Sequence, residues 1–451
     1  MTSKNAPSFA SFRTTALATA LATALFAFGS SVFAQTTLIS AFEAAQAYDA
    51  AYAAAKQNAE AAKERIVQAK AGLKPAATVS ANGARGFSDV YGSGVADRNF
   101  WSTGVTLAGT YPIYRPAVKS SISQAELAYK LTEAAAASAQ SDLMVRVSQA
   151  YFDILLAQDT LTSIAVQKVA IAETLAQAKR EFEVGTKTVV DTNEAQARFD
   201  QVLAQEAVAQ GDEVGKRAAL ATIMGADPKR LSTLSGNPTI SMASPADIEA
   251  WVARAETAAI PVQTAQITSD IAKIEIDKNK LTQRPTIDLT SNLGASRSVG
   301  NAPNNGHSTV ISGAIGVQLG YSLFNGGALD SKVRESIAAY GKTLSDVDAV
   351  KRAAAQSARL AYLSLTYGLA QIRALESVKR SAQTLLDSTK LGYQVGVRIN
   401  LDVLNAQQTL ATNETALAKA RYDSLMAGVR LKAATNQLAD ADLRAISADM
   451  R

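Results

Sequence analysis

The chain has 451 residues, a formal net charge of +5, no cysteine and one histidine. Setting aside the first 34 residues, which hold Lys4 and Arg13 and no acid, leaves about +3, too mild for a nucleic-acid binder, and there is no basic stripe interleaved with aromatics. Without cysteine there are no disulfides, no zinc–thiolate site, no cysteine nucleophile and no lipidated N-terminal cysteine; His307 has no second histidine to join as a metal ligand.

The N-terminus has the parts of a secretory signal: a charged region with Lys4 and Arg13, an apolar run from Ala16 to Phe28, and Val32-Phe33-Ala34 ending on a small residue. The run is shorter than the ~20 residues of a spanning helix, so residues 1–34 are expected to be removed. Thr36 to Leu73 is predicted to be one helix, stopped at Lys74-Pro75. Short strands are predicted near 77–87 and 100–111, separated by a polar loop from Ser88 to Asn99. Along the second strand, Trp101, Thr103, Val105, Leu107 and Tyr111 alternate with Ser102, Gly104, Thr106, Ala108 and Thr110. One face is therefore mostly apolar and bulky, the other small and polar. After Pro112 and Pro116 comes a helical stretch from about Val118 to about Phe182. About 60 residues at ~1.5 Å per residue give roughly 90 Å, far longer than a compact domain. Val147, Tyr151, Ile154 and Leu161 follow a coiled-coil period, with Gln158 in the remaining seam position.

The scheme then recurs. Ile248 to Leu281 is predicted helical, with a break possible at Pro261. Strands are predicted near 286–295 and 309–323, with a polar loop from Ser296 to His307 between them, and Asn325-Gly326-Gly327 turns into another very long helix. Val184-Gly185 returns as Val395-Gly396, Asp191 as Asp402, Ala195-Gln196 as Ala406-Gln407 and Ala150-Tyr151 as Ala361-Tyr362, each 211 residues on. A duplication of that size implies two structural halves, 35–245 and 246–451, each with a helical hairpin turning at Gly185 or Gly396.

Four alternating segments can cross an outer membrane as tilted strands, but four strands cannot close a barrel, and open edges are not tolerated in lipid. The chain is therefore expected to share a barrel with copies of itself; three copies supply about twelve strands, enough for a lumen. A soluble β-sandwich with one solvated face fits poorly with helices of this length.

Several ordered motifs resemble those of the TolC-like outer-membrane channel family across nearly the whole mature chain. They are Ala47-Tyr48-Asp49, Gly72-Leu73-Lys74-Pro75, Tyr111-Pro112-Ile113-Tyr114, Gln149 through Leu155, Val184-Gly185 through Asp191 to Ala195-Gln196, Tyr321 through Gly327, Tyr393 through Arg398, and Leu401-Asp402-Val403-Leu404. The resemblance implies an α+β membrane protein: a homotrimeric twelve-stranded β-barrel, four strands per chain, continuous with a long α-helical coiled-coil tunnel in the periplasm. A small mixed region from Ala226 to Pro245 and the C-terminal tail would surround the tunnel's waist. Such channels are exit ducts for drugs or unfolded secreted protein. Their partners are a periplasmic adaptor and an inner-membrane pump or ABC transporter, with outer-membrane lipid around the barrel and no nucleic acid. The resemblance also implies a gate at the helical turns, with Asp191 tied to Tyr393 and Arg398, and Asp402 facing the pore axis as a threefold carboxylate ring that favours cations. Position 405, where a second acidic ring is expected, is the neutral Asn405.

No catalytic constellation and no cofactor motif is present; carboxylates such as Glu64 in Lys63-Glu64-Arg65 suit solvated helix faces. A secreted helical filament or surface coiled coil is the alternative class, and the amphipathic strands with Trp101, Tyr111 and Tyr321 near their ends argue against it. A metal-efflux duct would want a His/Met/Cys-rich lining that the sequence lacks.

Overall fold

The computed structural model describes residues 35–88, 98–186, 188–234, 244–300 and 307–450. The predicted signal segment, 1–34, most of the first polar loop and part of the second lie outside these residues. Two short helices, α1 (Leu38–Tyr48) and α2 (Ala50–Ala71), lead into strands β1 (Ala76–Ser88) and β2 (Arg98–Tyr114). The long helix α3 (Pro116–Glu183) and its return helix α4 (Val189–Met224) follow. The order then repeats: α5 (Ile248–Ala258), α6 (Ile260–Thr282), β3 (Thr286–Gly300), β4 (Ser308–Gly320), α7 (Ala328–Gln394) and α8 (Asn400–Ala434), with a short α9 (Asp440–Ala448) at the end.

The expected single helix from Thr36 to Leu73 is two. The chain breaks at Asp49, whose backbone is extended and whose side chain caps α2 by accepting the Tyr52 N–H at 2.7 Å. An aspartate beside its own backbone offers it such an alternative to the helical ladder. Arg146 on α3 donates to the same carboxylate at 3.0 Å. Burial pushes the Asp49 carboxyl up, but the Tyr52 N–H and the guanidinium outweigh it and hold the group below its ordinary value. In the second half the break falls at Ala259, before Pro261, because proline is accommodated in the first turn of a helix.

The strands form one antiparallel up-and-down sheet in the order β1-β2-β3-β4, so β1 and β4 are its two edges. Register sorts the residues by face. Val79, Leu107 and Leu293 share one cross-strand row with Gly313; Ala81, Val105, Ala295 and Ile311 form another. On the opposite face the rows are Ser80, Thr106, Gly294 and Ser312, then Thr78, Ala108, Asn292 and Ala314. The alternation read from the sequence is therefore a property of the whole sheet. Its boundaries differ at three ends. β2 continues past Pro112 to Tyr114 through a bulge, where a residue without an N–H costs no ladder bond. β3 runs on to Gly300, because Ser296-Arg297-Ser298 keeps pairing with Gly104, Thr103 and Ser102 despite its polarity. β4 stops at Gly320 rather than Leu323. Arg115, just past β2, grips Asp288 with two bonds of 2.8 Å and ties the strand-to-helix corner to β3.

Helices α3 and α7, of 68 and 67 residues, are each about 100 Å long. Each is accompanied on its sheet-side part by short helices and on its far part by its return helix: α2 and α6 pack on α3, α6 also on α7, α4 on α3 and α8 on α7. α3 also packs along α8, which joins the two hairpins. The largest apolar cluster lies midway, where Leu38 and Phe42 of α1 meet Val147, Tyr151, Phe152 and Leu155 of α3, Leu220 of α4, Met426 of α8 and Leu443 of α9. The buried Tyr151 hydroxyl donates to the carbonyls of Thr36 and Ser232, and single bridges join Thr36 to Leu231 and Leu234 to Met450. This mixed collar fits the small region expected from the 226–245 segment and the C-terminal tail; residues 235–243 lie outside the described ones.

Candidate functional site

The far ends of the two hairpins carry every residue singled out for gating. After α3 the chain turns through Gly185 at φ +75°, and after α7 through Gly396 at φ +81°. No atom lies within 4 Å of where a Cβ would stand at either glycine, so conformation rather than space requires glycine there. Both turns close with the same pair of backbone bonds. In the first, Gly185 N–H donates to Phe182 O and Thr186 N–H to Glu181 O; in the second, Gly396 N–H donates to Tyr393 O and Val397 N–H to Gly392 O. These are the 5→2 and 6→1 bonds of a Schellman stop.

Asp191 stands in the first turn of α4, in a reciprocal cap with Thr188: the carboxylate accepts the Thr188 N–H at 3.0 Å and its hydroxyl at 2.8 Å. The Tyr393 ring packs with Leu386, Val403 and Ala406 inside the second hairpin. Its hydroxyl crosses to the first and donates to Glu181 Oε2 at 2.6 Å. Burial raises the phenol's pKa, and the Glu181 bond and the charges of Glu181 and Asp191 raise it further, so the hydroxyl keeps its proton. Arg398 pairs with Asp402 in its own hairpin at 3.7 Å, and Asp402 also accepts the Ile399 N–H at 3.4 Å. Asn405 accepts from Arg198 of α4 at 3.3 Å.

Glu181 was not among the residues expected from the sequence. Its signal is a difference between the halves: 211 residues on from Glu181 stands Gly392, and on from Phe182 stands Tyr393. One half offers the acceptor and the other the donor. Further ties between the hairpins climb away from the turns: Gln167 Nε2 to Gln408 Oε1 at 2.6 Å, the Tyr422 hydroxyl to Asp159 at 2.7 Å, and Arg430 to Gln149 at 2.8 Å. An apolar cluster of Ile171, Val202 and Leu404 spans α3, α4 and α8 between them. Among the described residues no group of three or more His, Asp or Glu is arranged to hold a metal.

Residues 41–226 and 253–437 match the profile of the family described as "Outer membrane efflux protein". The alkaline protease secretion protein AprF of Pseudomonas aeruginosa is 30% identical over 419 residues, covering 91% of this chain and 87% of that protein. Outer membrane protein TolC of Vibrio cholerae is 28% identical over 340 residues, covering 75% and 78%. Among solved structures, CusC superposes with a TM-score of 0.75 at 17% identity, covering 89% of this chain and 92% of that one. VceC of Vibrio cholerae superposes with a TM-score of 0.73 at 19% identity, covering 88% and 95%. With both halves of the chain matched and its strand–tunnel fold shared, the chain belongs to the outer membrane efflux protein family, a transport channel of the outer membrane with a periplasmic tunnel and not an enzyme.

Proposed function

We propose that three copies of this chain close a twelve-stranded barrel that opens into a helical tunnel, and that this duct carries drugs or unfolded protein out of the cell. The observation that carries the reading is the sheet. Its bulky apolar face is bare, with Ile311 76% and Ile315 80% exposed, and both edge strands lie open. Such a face suits lipid, and such edges must be paired before they enter it. Because β1 and β4 run in opposite directions, β4 of one copy laid against β1 of the next continues the alternation, and any number of copies keeps the strand count even. The small polar face would line the lumen.

Relatives named for protease secretion and for efflux both align over most of the chain, which supports either cargo. A periplasmic adaptor and an inner-membrane pump or ABC transporter complete the path. The hairpin ends form the gate, with Gly185 and Gly396 as hinges, Tyr393 as the tie across the hairpins, Asp191 and Arg398 shaping the two turns beside it, and Asp402 lining the entrance as a carboxylate ring. Residues 1–34 are removed on export, and 35–245 and 246–451 are a duplicated pair. The filament alternative is set aside by the family match.

Planar-bilayer recording of the detergent-purified protein tests this reading. Heat-resistant trimers should form low-conductance, cation-preferring pores, and Asp402→Ala should abolish the preference. Unchanged selectivity in the variant would remove Asp402 from the mechanism; folded trimers that form no pore would sink the channel.

A further inference from the structure

We infer that Glu181 is a gating residue in its own right, the acceptor of the outermost tie between the two hairpins. The inference rests on the proposed gate at the hairpin ends and names a partner that the family pattern does not supply. Of the side-chain bonds joining α3 to the second hairpin, Tyr393 to Glu181 lies nearest the turns; those at Gln167, Asp159 and Gln149 follow toward the waist. The apolar cluster of Ile171, Val202 and Leu404 lies above it and holds the hairpins together independently. For the second hairpin to swing away while that cluster stays packed, the Glu181 tie must break first.

The carboxylate is held for this contact. Gln177, one turn earlier on α3, donates to Glu181 Oε1 at 2.8 Å, which turns Oε2 toward the Tyr393 hydroxyl. On the other side the Tyr393 ring is fixed by Leu386, Val403 and Ala406, so the hydroxyl has little freedom to seek another acceptor. An O–H to carboxylate bond of this length is charge-assisted and about twice as strong as a neutral one. Asp191 sits close enough for its charge to act on the same phenol, but its Oδ2 is committed to the Thr188 cap. Glu181 thus supplies the bond, and Asp191 shapes the turn and the local field.

The test compares single-channel conductance of wild type, Tyr393→Phe, Glu181→Ala, Glu181→Gln and the Glu181→Ala/Tyr393→Phe double variant, each verified as a heat-resistant trimer. Glu181→Ala should open the pore as much as Tyr393→Phe does, by roughly tenfold in the open-to-closed ratio. The double variant should open no further than either single one, because both remove one bond. Glutamine keeps an accepting oxygen, so Glu181→Gln should restore most of the closed state, a rescue that a merely structural role in α3 would not require. Opening by Tyr393→Phe alone, with Glu181→Ala at the wild-type level, would overturn the assignment of Glu181 and leave the gate. Two fully additive single variants would overturn it too. If Tyr393→Phe itself changes nothing, the gate at these turns fails and the inference with it.

Discussion

The turn after Glu183 and the turn after Gln394 share one backbone geometry, yet the helices that leave them start differently. Thr188 places a hydroxyl where it can accept the Asp191 N–H, and the Asp191 carboxylate returns the bond to the Thr188 N–H, so two orphan donors of α4 are satisfied. At the equivalent place in the second hairpin stands Ile399, which has no side-chain acceptor; there the Asp402 N–H falls back on the Ile399 carbonyl at 3.1 Å, and the Ile399 N–H makes only the longer 3.4 Å contact with the Asp402 carboxylate. The backbone of a Schellman turn needs only a glycine and two bonds. Rigidity at the next helix start needs a particular side chain, and only the first hairpin has one. The hairpin with the weaker cap is the one that holds Tyr393 and Asp402, the hairpin expected to swing.

The largest effects should come from breaking what the turns share. Gly185→Ala and Gly396→Ala each force a Cβ into the left-handed region, at a local cost of about 1–2 kcal/mol. Since neither site has an atom within 4 Å of the new Cβ, the two costs should be equal. Amide exchange across the last turns of α3 and α7 measures them. A much larger loss at one glycine would mean that the turns are not equivalent after all.

A cap exchange sharpens the difference. Thr188→Ala should cost the start of α4 about 1 kcal/mol, read as faster exchange in its first turn. Ile399→Thr should slow exchange at the start of α8 by a similar or smaller amount, because Asp402 already stands where the reciprocal bond needs it. If Ile399→Thr also lowers the open probability of the pore, the weak cap is part of the gating device; if conductance is unchanged while exchange slows, the cap and the gate are separate.

Most of the architecture was legible because it depends on patterns that a sequence displays. Alternation marked the strands, period and length marked the long helices, and a glycine repeated at a fixed offset marked both turns. Boundaries were lost where side chains override pattern. Asp49 breaks a good helical stretch by capping its continuation, and Ser296-Arg297-Ser298 extends β3 because its partners on β2 are already in register. At the hairpin ends, Gly185, Gly396, Asp191, Tyr393, Arg398 and Asp402 could be named from motif and repeat, and the structure gathers them at the two turns. Glu181 was invisible to that reading because it has no counterpart. Two matching halves are read from what they hold in common, whereas a contact between the halves depends on where they differ: Glu181 against Gly392, Tyr393 against Phe182.

The smallest expected effect concerns that same pair of differences. Tyr393 has its pKa raised from the ordinary 10.0, first by burial, then by the bond to Glu181 and by the charges of Glu181 and Asp191. For an acid whose pKa is higher in the closed, folded arrangement, the neutral form is the one that arrangement favours. The stability contributed by the tie is then fully present below the ordinary phenol value and is lost only as pH rises through the higher, shifted one. Conductance and selectivity should therefore stay flat from neutral pH up to about pH 9. The first hairpin, whose corresponding aromatic Phe182 has no hydroxyl, contributes no phenol at that position. A rise in open probability well below pH 10, absent in Tyr393→Phe, would show that the phenol ionises early and that the pull of Glu181 and Asp191 is weaker than a 2.6 Å bond implies.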